Sequence, residues 1–329
     1  MEFNLIMKLI HSFSTNIDDI QNIKEAINSK KWGDSLSKRR VHWYCWVWSF
    51  LSASKHSDQF ELYTDAMGAD ILVGALNLPY SKVNLTLDGI NKKYLYLGKI
   101  KTYAVQTEPF LHIDGDVVFR EYFPTNLPNL YAQQYSWWLK DLYQNILVLL
   151  FNNNFEAIPE EFKKLNILTM KNSEFGTLNA GVFGGTDLEL IRECANKTLL
   201  FFENTHNTKL LNDLLDEFSL MTFYANNKKG STYTQTALFS LFEEFLPVLL
   251  YKQKYKNLDG LKTVLNEEDI EKEHTVELNI DRSTELKYVH LMDAKRDDGE
   301  QSVAYRQRFI QKFREEYPEW AAKVDTYLS

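Results

Sequence analysis

Ten consecutive residues, Phe110 to Phe119, read FLHIDGDVVF and constrain this chain more than any other stretch. Apolar residues flank two aspartates, Asp114 and Asp116, held one residue apart by Gly115. The pattern reads as a buried strand that delivers two carboxylates to its end, and the intervening glycine lets backbone or ligand approach closely. Hard divalent cations prefer oxygen ligands, and Mg²⁺ in particular takes one or two carboxylates together with substrate phosphates. Asp-x-Asp at a strand end is therefore either a station for a metal-bound diphosphate or a plain turn, and the rest of the chain has to decide between them.

Length and composition narrow the choice. The 329 residues exceed the usual span of one small domain, but α/β enzymes run this long as a unit. One domain is expected, with a core over about 7–251, a peripheral insertion at 252–287 where charge is dense and apolar pattern is lost, and a closing segment at 288–329. Aromatic residues make up 14% of the chain, which supplies ample core and excludes a disordered protein. A formal net charge of −8 argues against nucleic-acid binding, because that needs clustered cations to replace the counterions of the phosphates. Only two cysteines occur, Cys45 and Cys194, without paired spacing. Neither a disulfide framework nor a thiolate zinc site follows, and a reducing cytoplasm is the expected compartment. No apolar run reaches the ~18–20 residues needed to cross a bilayer, so at most peripheral association with the inner membrane face is expected.

Taken in order, the chain alternates strands and helices. Met7 to Phe13 reads as a first strand, Lys30 to Arg40 as an exposed loop, and Val41 to Ser54, with four aromatics and a histidine crowded between Val41 and Trp48, as a helix buried on most sides. Phe60 to Asp65 reads as a strand entering a turn. Asp65 falls where substrate-facing residues sit in open α/β sheets, and equally where a helix N-cap would. Val83 to Leu87 predicts a short strand and Lys99 to Gln106 a helix ahead of the central strand. Leu130 to Gln134 predicts a strand, Tyr135 to Phe151 a helix, and Leu178 to Thr186, with its Asn-Ala-Gly start, a strand of small residues. A helix follows from Asp187 with Thr186 as its cap. Leu210 to Ala225 predicts another helix, Leu246 to Tyr251 a strand, Tyr288 to Leu291 a short strand ending near His290, and Gln301 to Leu328 a closing amphipathic helix pair. The basic triplet Lys38-Arg39-Arg40 reads as a solvated turn.

Three features now stand in order: Asp114-x-Asp116 with Lys99 ahead of it, Asn179-Ala180-Gly181-Val182, and His290 with Lys295 five positions on. This order resembles the nucleotide-sugar glycosyltransferases of the GT-A fold, in particular the glycogenin-like and lipopolysaccharide galactosyltransferase group called family 8. The resemblance covers about Met7 to Lys295 and implies an α/β fold of GT-A type, with a Rossmann-like, mainly parallel mixed sheet flanked by helices and a C-terminal helical appendage. It further implies that Asp114, Asp116 and His290 bind Mn²⁺ or Mg²⁺, and that Lys295 grips the diphosphate. Lys99, Gly115, Asn179, Gly181 and Asp65 are then the residues that meet a nucleoside diphosphate sugar, a uridine diphosphate sugar first among them. Gln235 matches the glutamine that lies beneath the reacting carbon, although Thr234 stands where the family has an acid. The family's His-x-x-Gly-x-x-Lys-Pro-Trp ending is here His290-Leu291-Met292-Asp293-Ala294-Lys295-Arg296, which loses the glycine, the proline and the tryptophan, so the chain reads as a divergent relative.

The implied reaction is transfer of a sugar from a nucleoside diphosphate to a hydroxyl of a glycan, lipid-linked saccharide or protein, with retention. An inverting enzyme would need a base, for which Asp187 or Asp293 would serve. Two other classes fit paired aspartates. A sugar-phosphate nucleotidyltransferase would open on a Gly-rich basic loop, where this chain has His11-Ser12-Phe13-Ser14-Thr15. A non-catalytic glycan-binding or partner-binding protein would show no Mn²⁺-dependent affinity for a nucleoside diphosphate.

Overall fold

Strand β1 (Lys8–Phe13) is buried on both faces because it lies inside a sheet covered on both sides. Leu9 and Phe13 join one buried cluster and Ile10 the other. The computed structural model describes residues 7–15, 21–90, 96–119, 126–136, 140–165, 176–218, 238–264, 288–290 and 300–329.

After β1 comes α1 (Leu36–Ala53), then β2 (Phe60–Thr64), β3 (Lys82–Leu85), α2 (Leu97–Ala104), β4 (Phe110–Ile113) and β5 (Val117–Phe119). The second half supplies β6 (Leu130–Ser136), α3 (Lys140–Asn152), β7 (Thr177–Gly185), α4 (Leu188–Phe202) and α5 (Thr205–Phe218). A π-helical turn, Leu241–Phe245, runs straight into α6 (Leu246–Tyr255); β8 (Leu261–Thr263), β9 (Tyr288–His290), α7 (Glu300–Glu316) and α8 (Pro318–Leu328) complete the order. Among the described residues no helix is long and apolar enough to cross a membrane.

Seven strands form one sheet in the order β3-β2-β1-β4-β7-β6-β8. Strands β3, β2, β1 and β4 are parallel neighbours, β7 runs antiparallel between β4 and β6, and β8 pairs parallel with β6. The result is the Rossmann-like, mainly parallel mixed α/β sheet that the sequence predicts, with helices at its C-terminal end. The chain moves outward from β1 through β2 to β3 and then returns to lay β4 on the other side of β1. That reversal opens a crevice at the carboxyl ends of β1 and β4, the place where open α/β sheets bind ligands.

Several local expectations are corrected. Phe110 to Phe119 is two strands rather than one: β4 stops at Ile113, Asp114 to Asp116 form a turn, and β5 pairs antiparallel with β9 in a separate two-stranded sheet. Lys30 to Arg40 is not an open loop. Lys30–Trp32 is a 3-10 turn, and α1 begins at Leu36 because the Ser35 hydroxyl caps the Lys38 N–H. The basic triplet is tied down: Lys38 pairs with Asp34, Arg39 donates to the Gly33 carbonyl and Arg40 pairs with Asp325. β6 extends to Ser136, so the helix expected from Tyr135 starts at Lys140. Leu246 to Tyr251 is helix rather than strand, since Pro247 fits the first turn of a helix and the π-helical turn before it is already wound. Asp187, not Thr186, caps α4.

Candidate functional site

The crevice between β1 and β4 contains a cavity of about 270 Å³. From the end of β1 come Ser12, Phe13 and Ser14; from α1 come His42 and Trp46; Tyr96, Gly98 and Lys99 belong to the start of α2. The Asp114-Gly115-Asp116 turn and Glu243 of the π-helical turn close it.

The turn is pinned by backbone bonds on both sides. Asp114 N–H donates to the Gly181 carbonyl of β7 at 2.8 Å, and Val117 N–H returns to the Asp114 carbonyl at 3.1 Å. That same carbonyl accepts from the Ser49 hydroxyl of α1 at 3.0 Å. Gly115 lies flat against the Trp46 indole: a Cβ there would sit 2.4 Å from Trp46 Cε2, so only glycine fits. Trp46 is itself wedged edge-on between His11 and Phe13.

Two buried histidines stand on opposite faces of the sheet, as strand alternation requires. His11 bonds the Tyr80 hydroxyl at 2.7 Å and the Ser49 hydroxyl at 3.1 Å. Burial lowers its pKa to about 3, against a raising effect of Asp116, so the ring is neutral. His112 bonds the Ser12 hydroxyl at 2.8 Å through Nε2, while its Nδ1 lies 3.7 Å from Asp114 Oδ1. Burial, then the charge of Lys99, holds His112 well below the usual imidazole range.

Lys99 is the cation of the site. Its Nζ lies 2.9 Å from Asp114 Oδ1, 2.7 Å from Glu243 Oε1 and 2.7 Å from the Ala180 carbonyl. Burial opposes its charge, but Asp114 and then Glu243 outweigh that and hold the ammonium well above the ordinary lysine value. Burial raises the Glu243 carboxyl, partly countered by Lys99. Its neighbour Glu244, bonded by the Tyr143 hydroxyl at 2.7 Å, is pushed up to about 8 by burial and then by the charge of Glu243.

The predicted residues divide sharply. Lys99, Asp114, Gly115 and Asp116 meet in the cavity. Gly181 supports it through its carbonyl, whereas the Asn179 side chain accepts from the Gly181 N–H and does not line it. His290 is brought close by register: it pairs with Val117, next to Asp116. Asp65 is a structural residue, its carboxylate filled by the Gly68 and Thr15 N–H groups and the Ser14 and Thr15 hydroxyls. Asp187 caps α4 and is bonded by Tyr255 and Lys254; burial favours its neutral form, but those bonds lower its pKa overall, and it lies outside the cavity. Gln235, Asp293 and Lys295 lie outside the described residues.

Glu243 and the aromatic wall were not singled out from sequence. A signal for Glu243 existed: Glu243-Glu244 are the two acids of the otherwise apolar run Leu241 to Leu250, and buried acids in such a run mark function. Trp46 and His42 were read only as core, and most of their helix is core.

The donor set suits a hard cation. Among the described lining residues three carboxylates face one lysine, an excess of negative charge, and Asp114 and Asp116 carry the oxygen donors that a hard cation would take. Among the described side chains no three His, Cys, Asp or Glu are gathered as metal ligands.

Residues 7–327 match a family model described as "Family of unknown function (DUF6734)". No curated protein and no solved structure matches the chain.

Proposed function

The chain belongs to the family of unknown function DUF6734, and from the groups that line its cavity we propose that it is a metal-dependent glycosyltransferase of GT-A type using a nucleoside diphosphate sugar. The observation that carries this reading is the Asp114-Gly115-Asp116 turn at the switch point of a mainly parallel sheet, opening on a cavity with Lys99, beside the strand that carries His290.

Asp114 and Asp116 would hold Mn²⁺ or Mg²⁺, with His290 as a further ligand. A divalent cation there supplies charge stabilisation for the departing nucleoside diphosphate. Ser12 and Ser14 offer hydroxyls to polar groups of the donor, and Ser12 is oriented by its bond to buried His112. Trp46 and His42 form one wall and limit water around the reacting carbon. Glu243 is the carboxylate that faces the paired aspartates across Lys99. With retention, the leaving phosphate oxygen takes the proton of the acceptor hydroxyl, so no protein base is required. Cys45 and Cys194 are both buried and not joined in a disulfide, which suits a reducing compartment.

The test is calorimetric titration of uridine and guanosine diphosphates with and without Mn²⁺, on the wild type and on Asp114→Ala and Asp116→Ala. Binding that needs both metal and aspartates supports the transferase and identifies the base. A folded protein that binds neither nucleotide under any of these conditions sinks the reading and leaves the non-catalytic one.

A further inference from the structure

An ammonium has three N–H donors, and Lys99 has three partners: it hydrogen-bonds the Asp114 carboxylate and the Ala180 carbonyl and is ion-paired at 2.7 Å with the Glu243 carboxylate, whose buried Oε1 has no hydrogen bond among the described residues. Two of the three are acids from distant parts of the chain, one after β4 and one on the π-helical turn. Such a turn adds a residue to the helical repeat and re-aims the side chains it carries, and this one turns Glu243 into the cavity. Lys99 and a divalent cation compete for the lone pairs of Asp114, and as like charges they repel at that distance.

We infer that Glu243 is a positioning residue that retains Lys99 when Asp114 is given up to a divalent cation, so that the lysine acts as a placeholder charge exchanged for the metal. This rests on the metal-site reading above. Without Glu243, Asp114 would be the one carboxylate among the described residues in direct contact with the ammonium, and metal entry would strand a buried cation. With Glu243, Lys99 keeps one carboxylate and one carbonyl, both at 2.7 Å, whichever ion Asp114 holds. A second observation points the same way. His112 Nδ1 is buried, 1% exposed, and has no hydrogen-bond partner, yet it lies 3.7 Å from Asp114 Oδ1. A small rotation of the carboxylate away from Lys99 would complete that bond and orient Asp114 from behind, as outer hydrogen bonds orient metal-binding carboxylates.

The experiment titrates Mn²⁺ alone into the full chain and reads free Mn²⁺ by electron paramagnetic resonance, with circular dichroism as the check on folding. Glu243→Gln is expected to weaken Mn²⁺ binding about tenfold. Glu243→Asp, which keeps a charge for Lys99, is expected to retain most of the affinity. Lys99→Met is expected to tighten binding, and adding Glu243→Gln to it to change the affinity by no more than about twofold. Unchanged affinity in Glu243→Gln, or an equal loss with and without Lys99, overturns the exchange. A wild type that does not bind Mn²⁺ at all removes the metal site itself, a failure of the parent reading that no variant is needed to detect.

Discussion

The Asp114-Gly115-Asp116 turn is held from two sides by different physics. Toward α1 the supports are neutral and packed: Ser49 on the Asp114 carbonyl, His11 on Ser49 and Tyr80, Trp46 against Gly115. Toward α2 and the π-helical turn they are charged, with Lys99 between Asp114 and Glu243, and Glu244 behind. A neutral, closely packed wall fixes where the backbone of the turn lies. A charged wall sets the electrostatic balance of the turn, which shifts as its carboxylates gain or lose protons.

If the division is right, damage to the neutral side should cost stability first. Gly115→Val pushes a branched side chain into the Trp46 ring, and a loss of about 2–3 kcal/mol in urea unfolding is expected. A variant as stable as wild type would mean that the indole moves freely and is no wall.

His11→Gln is expected to cost about 1–2 kcal/mol at neutral pH through its imperfectly replaced bonds. It also removes an acid dependence. The His11 pKa falls from 6.5 to about 3 on folding, so the unfolded chain binds the proton first. Its stabilisation is complete above pH 6.5 and is lost as pH falls toward 3. Thermal midpoints measured across that range should fall less steeply in the variant.

On the charged side the dependence reverses. The Glu244 pKa rises from 4.5 to about 8 on folding, so the folded chain keeps the proton longer. Its stabilisation is complete below pH 4.5 and is lost as pH rises to about 8. Glu244→Gln should flatten that decline, by an amount on the order of a few kcal/mol at the alkaline end. Parallel slopes in wild type and variant would show that Glu244 is ionised in the fold and that the two walls do not differ in this way.

The two sides also differ in how well the sequence announces them. Strands β1, β2 and β7 follow from short apolar or small-residue runs bounded by polar segments, and the closing helices α7 and α8 from apolar residues at helical spacing. The paired aspartates stand out because charges at the end of a short buried strand, Phe110 to Ile113, are costly to desolvate. Glu243 is harder to see, since its aim depends on a π-helical turn that sequence periodicity does not encode. Helix α6 was lost for a related reason: Leu246 to Tyr251 is apolar at nearly every position, and a run buried on all sides has neither period. Asp65 shows the opposite failure, where position in the sheet suggests function but four hydrogen-bonding groups of the protein itself occupy the carboxylate.

The pairing of β5 with β9 carries a consequence for biosynthesis. Val117 to Phe119 leave the ribosome long before Tyr288 to His290 are made, and the strand that follows the aspartates waits for its partner through more than half of translation. Helices α7 and α8, which brace α1 through Arg40, Tyr44 and Asp325, come later still. The parallel strands can assemble early, while β5, just after the aspartates, gains its ladder only once β9 has been made. A chain that stops short of β9 would then hold the paired aspartates at the end of β4 with no ladder behind the strand that follows them.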